Sequence, residues 1–201
     1  MKVYTYTPKK YFGSNTYILI SGSHGAVIDP SVSFAEASTL IKGLEVSIDY
    51  IILTHAHFDH MLKIDDWCDN TAAEVLVGGS ESVALRNSLM NCYSLFMGMD
   101  TGYFGQYRVV SDGDIIRLGQ DSIKVIDTPG HSIGSISLVT DIGVFVGDVA
   151  FEGGGVGRTD LPGGDEEVLS MSIAKLKKLS PDTVVYSGHG NPTTVEKIRY
   201  I

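Results

Sequence analysis

The chain has 201 residues, of which 43% are hydrophobic and 19% charged, and its formal net charge is −9. This balance is typical of one folded α/β domain with a sizeable core and excludes an intrinsically disordered chain. The acidity, with no Lys/Arg cluster longer than the pairs at 9–10 and 177–178, disfavours a nucleic-acid partner.

The sequence carries no targeting or membrane signal. Its first ten residues, "MKVYTYTPKK", lack the apolar stretch of a secretory signal, and no apolar run approaches the roughly 20 residues that cross a bilayer. Two cysteines, Cys68 and Cys92, lie far apart without C-x-x-C spacing. We therefore expect a cytoplasmic protein without membrane contact, whose two free thiols fill the core rather than bind metal.

The first half of the chain alternates short strands with helices. "KVYTYT", "TYILIS" and "GAVID" predict three strands separated by the turn-like "FGSN" and "GSHG". "SFAEASTLIKGL" has helical spacing, from a cap at Ser33 to an end near Gly43. The run "IDYIIL" predicts a strand buried on both faces, followed by a helix after His60 and by the strand "AEVLVG".

The second half is less regular at its start. "ESVALRNS" predicts a helix, and the rest of residues 80–107 fits either a packed loop or a mobile flap over a site. From residue 108 we expect five strands, "YRVV", "DIIRLG", "SIKVID", "SISLVT" and "VFVGD". A glycine-rich loop, "EGGGVGRTDLPGGD", then leads to the helix "EEVLSMSIAKLKKL" and the strand "DTVVYSG". Without repeats or a linker, the sequence predicts a single domain over residues 1–201.

Histidines and aspartates follow the apolar strands at their carboxyl ends. All histidines except His24 lie there, and α/β folds place ligands at such ends. One histidine at a strand end is usually a cap or a core residue, but this repeated placement predicts a metal site. The candidate ligands are His55, His57, Asp59, His60, His131, Asp148 and His189.

The spacing of these residues indicates a dinuclear site. It differs from the helical H-E-x-x-H pair, because His55 and His57 are two residues apart and point the same way from an extended segment. Seven nitrogen and oxygen donors exceed what one tetrahedral ion accepts, so we expect two ions that share a carboxylate. Imidazole-rich donors without thiolates suit two Zn(II) ions, and Fe or Mn accept the same set.

Such a pair of ions favours hydrolysis. Two ions about 3.5–4 Å apart hold a bridging hydroxide near neutral pH and polarise a scissile carbonyl.

The motifs "THAHFDH", "TPGHS", "GD" at 147–148 and "GHG" at 188–190 resemble the ligand set of the metallo-β-lactamase superfamily, in order and over nearly the whole chain. The resemblance implies a four-layer αββα sandwich with the metal site on one edge of its two sheets. It also implies two metal sites with these ligands: His55, His57 and His131 for the first, Asp59, His60 and His189 for the second, and Asp148 as the bridge.

Within that superfamily, "GRTDLPGGD" and the C-terminal "TT" followed by "EK" resemble small glyoxalase-II-like hydrolases, which cleave hydroxyacyl-glutathione thioesters. Only twelve residues follow His189, so we expect the helical glutathione-binding region of true glyoxalase II to be missing. The chain also has Met61 and Leu62 where many relatives have glycines; we expect this change to affect helix packing, with a narrower pocket mouth as the alternative.

Arg158 and Asp160 lie in the glycine-rich loop and have two interpretations. They form a loop-internal salt bridge, or Arg158 binds a substrate carboxylate through its planar guanidinium. The related persulfide dioxygenases carry a similar G-R-x-D segment near their site, which keeps the second interpretation open.

The sequence thus predicts a dinuclear metal hydrolase of a small acyl thioester, with Asp59 and Asp148 as catalytic residues and a metal-held hydroxide as nucleophile. The alternatives are a mononuclear iron oxidoreductase of the persulfide-dioxygenase type and a lactonase. The lack of a secretion signal disfavours a β-lactamase, the acidity disfavours a nuclease, and the complete ligand set disfavours an inert metal-binding protein. We expect a small-molecule substrate and a monomer or homodimer.

Overall fold

Two six-stranded sheets form the centre of the fold in the computed structural model, which describes residues 1–8 and 12–199. The Lys9–Lys10 pair of the sequence lies outside the described residues. The first sheet contains, in spatial order, β1 (Lys2–Tyr6), β2 (Thr16–Ser21), β3 (His24–Ile28), β4 (Ser47–Ile52), β5 (Glu74–Gly78) and β6 (Arg108–Val110). The second contains β12 (Thr193–Thr194), β11 (Val184–Ser187), β10 (Gly143–Gly147), β9 (Ile136–Thr140), β8 (Asp121–Asp127) and β7 (Ile115–Leu118).

Strand direction explains why functional residues gather at one edge. Strands β3, β4, β5 and β6 are parallel, and in the second sheet β10 and β11 are parallel. Parallel neighbours end at the same edge, so the loops that follow them lie side by side. The meander β1–β2–β3 and the run β7–β8–β9–β10 are antiparallel.

Helices cover the outer face of each sheet. The helices are α1 (Phe34–Gly43), α2 (Ile64–Asn70), α3 (Tyr93–Met97) and α4 (Glu166–Leu176). Trp67 of α2 packs with Ile51 on the first sheet, and Ile173 of α4 packs with Val185 on the second. A separate apolar cluster, which includes Leu19, Leu76 and Phe145, fills the space between the sheets. The predicted αββα sandwich is therefore confirmed, with the two sheets packed face to face between the helices.

The boundaries of α1 follow from its capping residues. The carboxylate of Glu36 accepts hydrogen bonds from the backbone N–H and the hydroxyl of Ser33, and the helix ends at Gly43. This is the capping-box arrangement that satisfies free donors at a helix start. The predicted helix from Ser33 to near Gly43 is confirmed.

Two local predictions were wrong. "ESVALRNS" forms a short 3₁₀ turn, Ser80–Val83, followed by turns instead of an α-helix. The side chain of Asn87 accepts hydrogen bonds from the N–H groups of Leu89 and Met90, which competes with helical bonding. Strand β4 is also not buried throughout, because Asp49 and Tyr50 remain partly exposed.

The first residue after the histidine motif packs into the core, as expected. Met61 is buried in the cluster under α1 and α2, and neither Met61 nor Leu62 lines the cavity described below. Cys92 is buried and Cys68 is half-buried, and the structure pairs neither in a disulfide. Among residues 1–8 and 12–199, none of the helices has the length and apolar character that a bilayer crossing requires.

Candidate metal centre

The predicted ligands come together at one edge of the two sheets. The loop after β4 carries His55 and His57 and then turns through the short 3₁₀ segment Phe58–His60. His131 follows β8, Asp148 directly follows β10 and His189 follows β11. The sixth histidine, His24, lies elsewhere and pairs with Asp49 on the surface.

Three overlapping groups of side chains can each hold a metal ion. Within each group the candidate donor atoms all lie within 4.8 Å of one another. The groups are His55, His57 and His131; His55, His60 and Asp148; and Asp59, His60 and His189. The seven residues predicted from the sequence therefore form one continuous cluster, while their role as ligands stays a prediction.

Asp29 orients two of the histidines. Its Oδ2 atom accepts a hydrogen bond from Nδ1 of His60 at 2.9 Å and from the hydroxyl of Thr54 at 2.7 Å. That hydroxyl lies 3.1 Å from Nδ1 of His55 and, having donated its hydrogen to Asp29, accepts from it. Both imidazoles consequently carry a proton on Nδ1, which leaves Nε2 as the atom available to a metal, the arrangement that outer hydrogen bonds impose on metal-binding histidines.

Asp29 was not among the predicted site residues, although it stands at the end of the predicted strand "GAVID". It is buried and has a left-handed backbone, with φ of 53°. Its Oδ1 also accepts a hydrogen bond from the backbone N–H of Thr54 at 2.8 Å, which ties the end of β3 to the start of the histidine loop. Backbone strain of this kind persists where surrounding contacts hold it, often beside functional sites.

His131 is oriented by the glycine-rich loop. Its Nδ1 donates to the backbone carbonyl of Arg158 at 2.8 Å, so its Nε2 carries the lone pair. That Nε2 lies 3.0 Å from Nδ1 of His57, so the two rings meet at one point. The glycine-rich loop therefore takes part in the site through its backbone.

Asp148 lies between the two halves of the cluster, one with His55, His57 and His131 and the other with Asp59, His60 and His189. Its Oδ2 is 3.7 Å from Nε2 of His131 and 3.5 Å from Nε2 of His189, and its Oδ1 is 3.3 Å from Nε2 of His60. Asp59 contacts only one half, with its Oδ2 3.1 Å from Nε2 of His189. Only Asp148 of these two carboxylates is placed to serve both halves.

Burial and charge give the histidines different proton affinities. Burial lowers the pKa of His57 to about 3 and also lowers the pKa of His55, and neighbouring imidazoles add to the effect. Burial acts in the same direction on His60 and His189, but the carboxylates around them outweigh it and raise both pKa values. His55 and His57 are therefore neutral, whereas the carboxylates around His60 and His189 favour the protonated form of those two imidazoles.

The carboxylates respond in the opposite direction. Burial alone would raise the pKa of Asp59 and of Asp148, but the positive charge of His60 and His189 outweighs it and lowers both. Both carboxylates therefore remain ionised over the range in which proteins fold.

The buried polar atoms of the cluster fit a metal. In the described part of the chain, Nε2 of His55, of His57 and of His60 and Oδ1 of Asp148 are buried without a hydrogen bond of good geometry, although Nε2 of His60 and Oδ1 of Asp148 lie 3.3 Å apart. An unsatisfied buried polar atom costs about 1–3 kcal/mol, and a charged one costs more. Divalent cations satisfy such nitrogen and oxygen atoms together, and a thiolate-free set of this kind suits Zn(II), Fe or Mn.

Glu81 connects two loops that carry predicted ligands, the loop with His55 and His57 and the loop with His131. Its Oε1 accepts a hydrogen bond from the backbone N–H of Ala56, which lies between two of the histidines, at 2.9 Å. Its Oε2 accepts from the hydroxyl of Ser132 at 2.9 Å and from the backbone N–H of Gly134 at 2.7 Å, both just after His131. Only 1% of Glu81 is exposed. Glu81 was not among the predicted site residues, because it lies in the segment predicted as a helix.

A cavity of about 410 Å³ opens over the cluster. Asp59, Asp148, His57, His131 and His189 contribute to its lining. Arg158 also lines the cavity, and its Nε and Nη2 atoms each bond to a carboxylate oxygen of Asp160 at 2.7 Å. The structure thus contains the predicted salt bridge, and a substrate contact of Arg158 or Asp160 stays a prediction.

Comparisons with known proteins agree with this geometry. A family model described as "Metallo-beta-lactamase superfamily" matches residues 10–189. "Probable metallo-hydrolase YqgX" of Bacillus subtilis is 36% identical over 90% of this chain and 87% of that protein. "Hydroxyacylglutathione hydrolase GloC" of Haemophilus influenzae is 32% identical over 86% of this chain and 82% of that protein.

Solved structures with similar folds include two whose chains match almost completely. The BLEG-1 B3 metallo-beta-lactamase superposes with a TM-score of 0.89 at 30% identity, over 98% of this chain and 95% of that chain. TTHA1623 in a di-iron-bound form superposes with a TM-score of 0.82 at 28% identity, over 98% of this chain and 96% of that chain.

Proposed function

Because the chain belongs to the metallo-β-lactamase superfamily, we propose that it is a dinuclear metal-dependent hydrolase of small acyl thioesters. The observation that carries the proposal is the placement of Asp148, whose two carboxylate oxygens face different histidines of a cluster with seven donors. A single tetrahedral ion would leave part of this donor set unused.

Each residue of the cluster has a part in the proposed reaction. His55, His57 and His131 would hold one ion and Asp59, His60 and His189 would hold the other. Asp148, which lies near His131, His60 and His189, would be a ligand of both. When bound, two divalent ions polarise a carbonyl oxygen and lower the pKa of water towards neutrality. The ionised Asp59 lies in the cavity lining, where its carboxylate accepts a hydrogen bond from water and orients it towards the substrate.

Three observations support a thioester as the substrate. One relative, 32% identical, is named a hydroxyacylglutathione hydrolase. The segment "GRTDLPGGD" resembles the corresponding loop of glyoxalase-II-like enzymes, and its backbone orients His131 here. The cavity has the size of a site for a small molecule.

The test is turnover of a thioester panel by zinc-loaded protein. Wild type and His24→Ala should both hydrolyse at least one thioester, because His24 lies on the surface away from the cluster. Asp148→Ala and His57→Ala should lose activity by at least about 10³-fold while remaining folded. Equal turnover in either of these two variants and in His24→Ala would refute the proposal.

Iron chemistry is the second candidate. The donor set accepts iron, and the similar structure of TTHA1623 holds two iron ions. One iron per chain, together with oxygen uptake on a persulfide, would favour an oxidoreductase over a hydrolase. Lactones belong in the hydrolase panel, because the same chemistry opens them.

Three further expectations remain predictions. They are a cytoplasmic location, which suits the unpaired Cys68 and Cys92, a small-molecule rather than a nucleic-acid or membrane partner, and a monomeric or homodimeric state.

A further inference from the structure

The walls of the cavity above the metal cluster are aromatic and aliphatic. Four phenylalanines from separate parts of the chain line it, and two aliphatic residues of the glycine-rich loop complete the wall: Phe12, Phe58, Phe96, Phe151, Val156 and Leu161. The polar donors described above occupy the same cavity. An apolar pocket with a few convergent polar groups is the usual form of a small-molecule site.

The phenylalanines differ in their freedom to receive a ligand. Phe58 is 5% exposed and is held between neighbouring rings, since its centroid lies 5.7 Å from that of Phe96, at an interplanar angle of 23°, and 5.6 Å from that of Tyr93. Phe96 and Phe12 are 44% and 57% exposed. Exposed apolar surface of this kind is covered favourably by an apolar ligand group.

Among the wall residues that the structure describes, the one basic side chain is already paired. Among the lining residues of the described chain, Arg158 is the only lysine or arginine, and Asp160 occupies its guanidinium with two hydrogen bonds. Asp59 and Asp148 are negative and belong to the metal cluster. The described walls thus offer an acyl group apolar rings and no unpaired Lys or Arg.

We infer that the site selects thioesters with an apolar acyl group of aromatic size, and disfavours hydroxyacyl groups and acyl groups that carry a carboxylate. This inference rests on the proposed thioester hydrolysis. The apolar walls bind the acyl group and not the thiol carrier of the substrate. The common thiol carriers are charged molecules, and the described walls hold no unpaired Lys or Arg that would pair with them. The scissile carbonyl then meets the metal cluster while the acyl group packs on the rings.

The experiment compares acyl groups on one uncharged thiol, N-acetylcysteamine. We expect kcat/KM of the zinc-loaded protein to be about 10- to 100-fold higher for the phenylacetyl thioester than for the lactoyl or succinyl thioester, the range that differential apolar contacts provide. Phe96→Ala should reduce this preference about 10-fold. Phe104→Ala, which removes an exposed phenylalanine that does not line the cavity, should keep it.

The outcomes separate this inference from the proposed function. A preference for the lactoyl or succinyl thioester, or an unchanged preference in Phe96→Ala, would overturn the inference and leave thioester hydrolysis standing. No turnover of any thioester would refute the proposed function. In that case calorimetry still compares the phenylacetyl and lactoyl groups, through the affinities of the protein for phenylacetamide and for lactamide. Equal affinities, or a higher affinity for lactamide, would overturn the inference.

Discussion

Replacement of Glu81 by alanine should loosen two ligand loops at once. The carboxylate accepts hydrogen bonds from the buried N–H group of Ala56 and the partly buried N–H group of Gly134, and alanine would leave both donors without this acceptor. An unsatisfied buried donor costs about 1–3 kcal/mol and a partly buried one costs less, so the sum is at most about 6 kcal/mol. Ser132 loses less, because its hydroxyl also contacts Ser135.

The cost of burying Glu81 itself reduces this effect. Burial raises the pKa of its carboxyl in spite of the hydrogen bonds it accepts, so removing the charge returns some free energy. We therefore expect the free energy of unfolding of the metal-free protein to fall by about 2–4 kcal/mol. We also expect zinc affinity to fall about 10- to 100-fold, as for other groups that position metal ligands.

Urea unfolding in the presence of EDTA and chelator competition for zinc measure these two quantities. Glu74→Ala is the matched control, since Glu74 is an exposed carboxylate paired with Arg108 and should contribute at most about 1 kcal/mol. Where Glu81→Ala does not fold, Glu81→Gln keeps one acceptor and should show a smaller loss of both quantities. If Glu81→Ala matched Glu74→Ala in stability and in zinc affinity, the proposed link between the loops would be wrong.

Three further predictions concern the cluster itself. Gly188→Ala should abolish metal binding, as metal analysis would show, because the new Cβ would lie 2.5 Å from Cε1 of His60. The control Gly43→Ala should keep metal binding, because no atom lies within 4 Å of its new Cβ. Chelation should lower Tm by roughly 10 °C, since metal at about 1,000 times its Kd stabilises by about 4 kcal/mol; an unchanged Tm would contradict this. Acidification should release one ion first, as dialysis between pH 7 and 4 would show. The raised pKa values of His60 and His189 let protons displace metal there as pH falls, whereas His57, with a pKa of about 3, stays neutral; simultaneous release would refute this order.

The residues of the metal cluster could be predicted from the sequence because they follow strands. Asp148 and His189 follow apolar runs of strand length, and His131 follows β8, which is partly exposed. Strands β8, β10 and β11 run in the same direction, because β8 and β10 are both antiparallel to β9 and β10 is parallel to β11, so they end at one edge. The αββα sandwich itself was named from the resemblance of these motifs to a known family, since strand runs alone do not fix the order of strands in a sheet.

The residues that position the cluster could not be predicted from the sequence, because their partners are distant in the chain. Glu81 meets Ser132 51 residues away, and Asp29 meets His60 31 residues away. The apolar walls likewise combine loops that share no spacing, such as those of Phe12 and Phe151. The failed helix prediction at "ESVALRNS" has a local cause, because the Asn87 side chain competes for backbone donors just after this segment.

Metal content per chain is the most direct test of the central claim that these donors form a dinuclear centre. Protein purified without added metal or chelator should contain two transition-metal ions per chain in the wild type and in His24→Ala, and fewer in Asp148→Ala. The same metal content in wild type and Asp148→Ala, or no metal above background in the wild type after exposure to zinc, would contradict it.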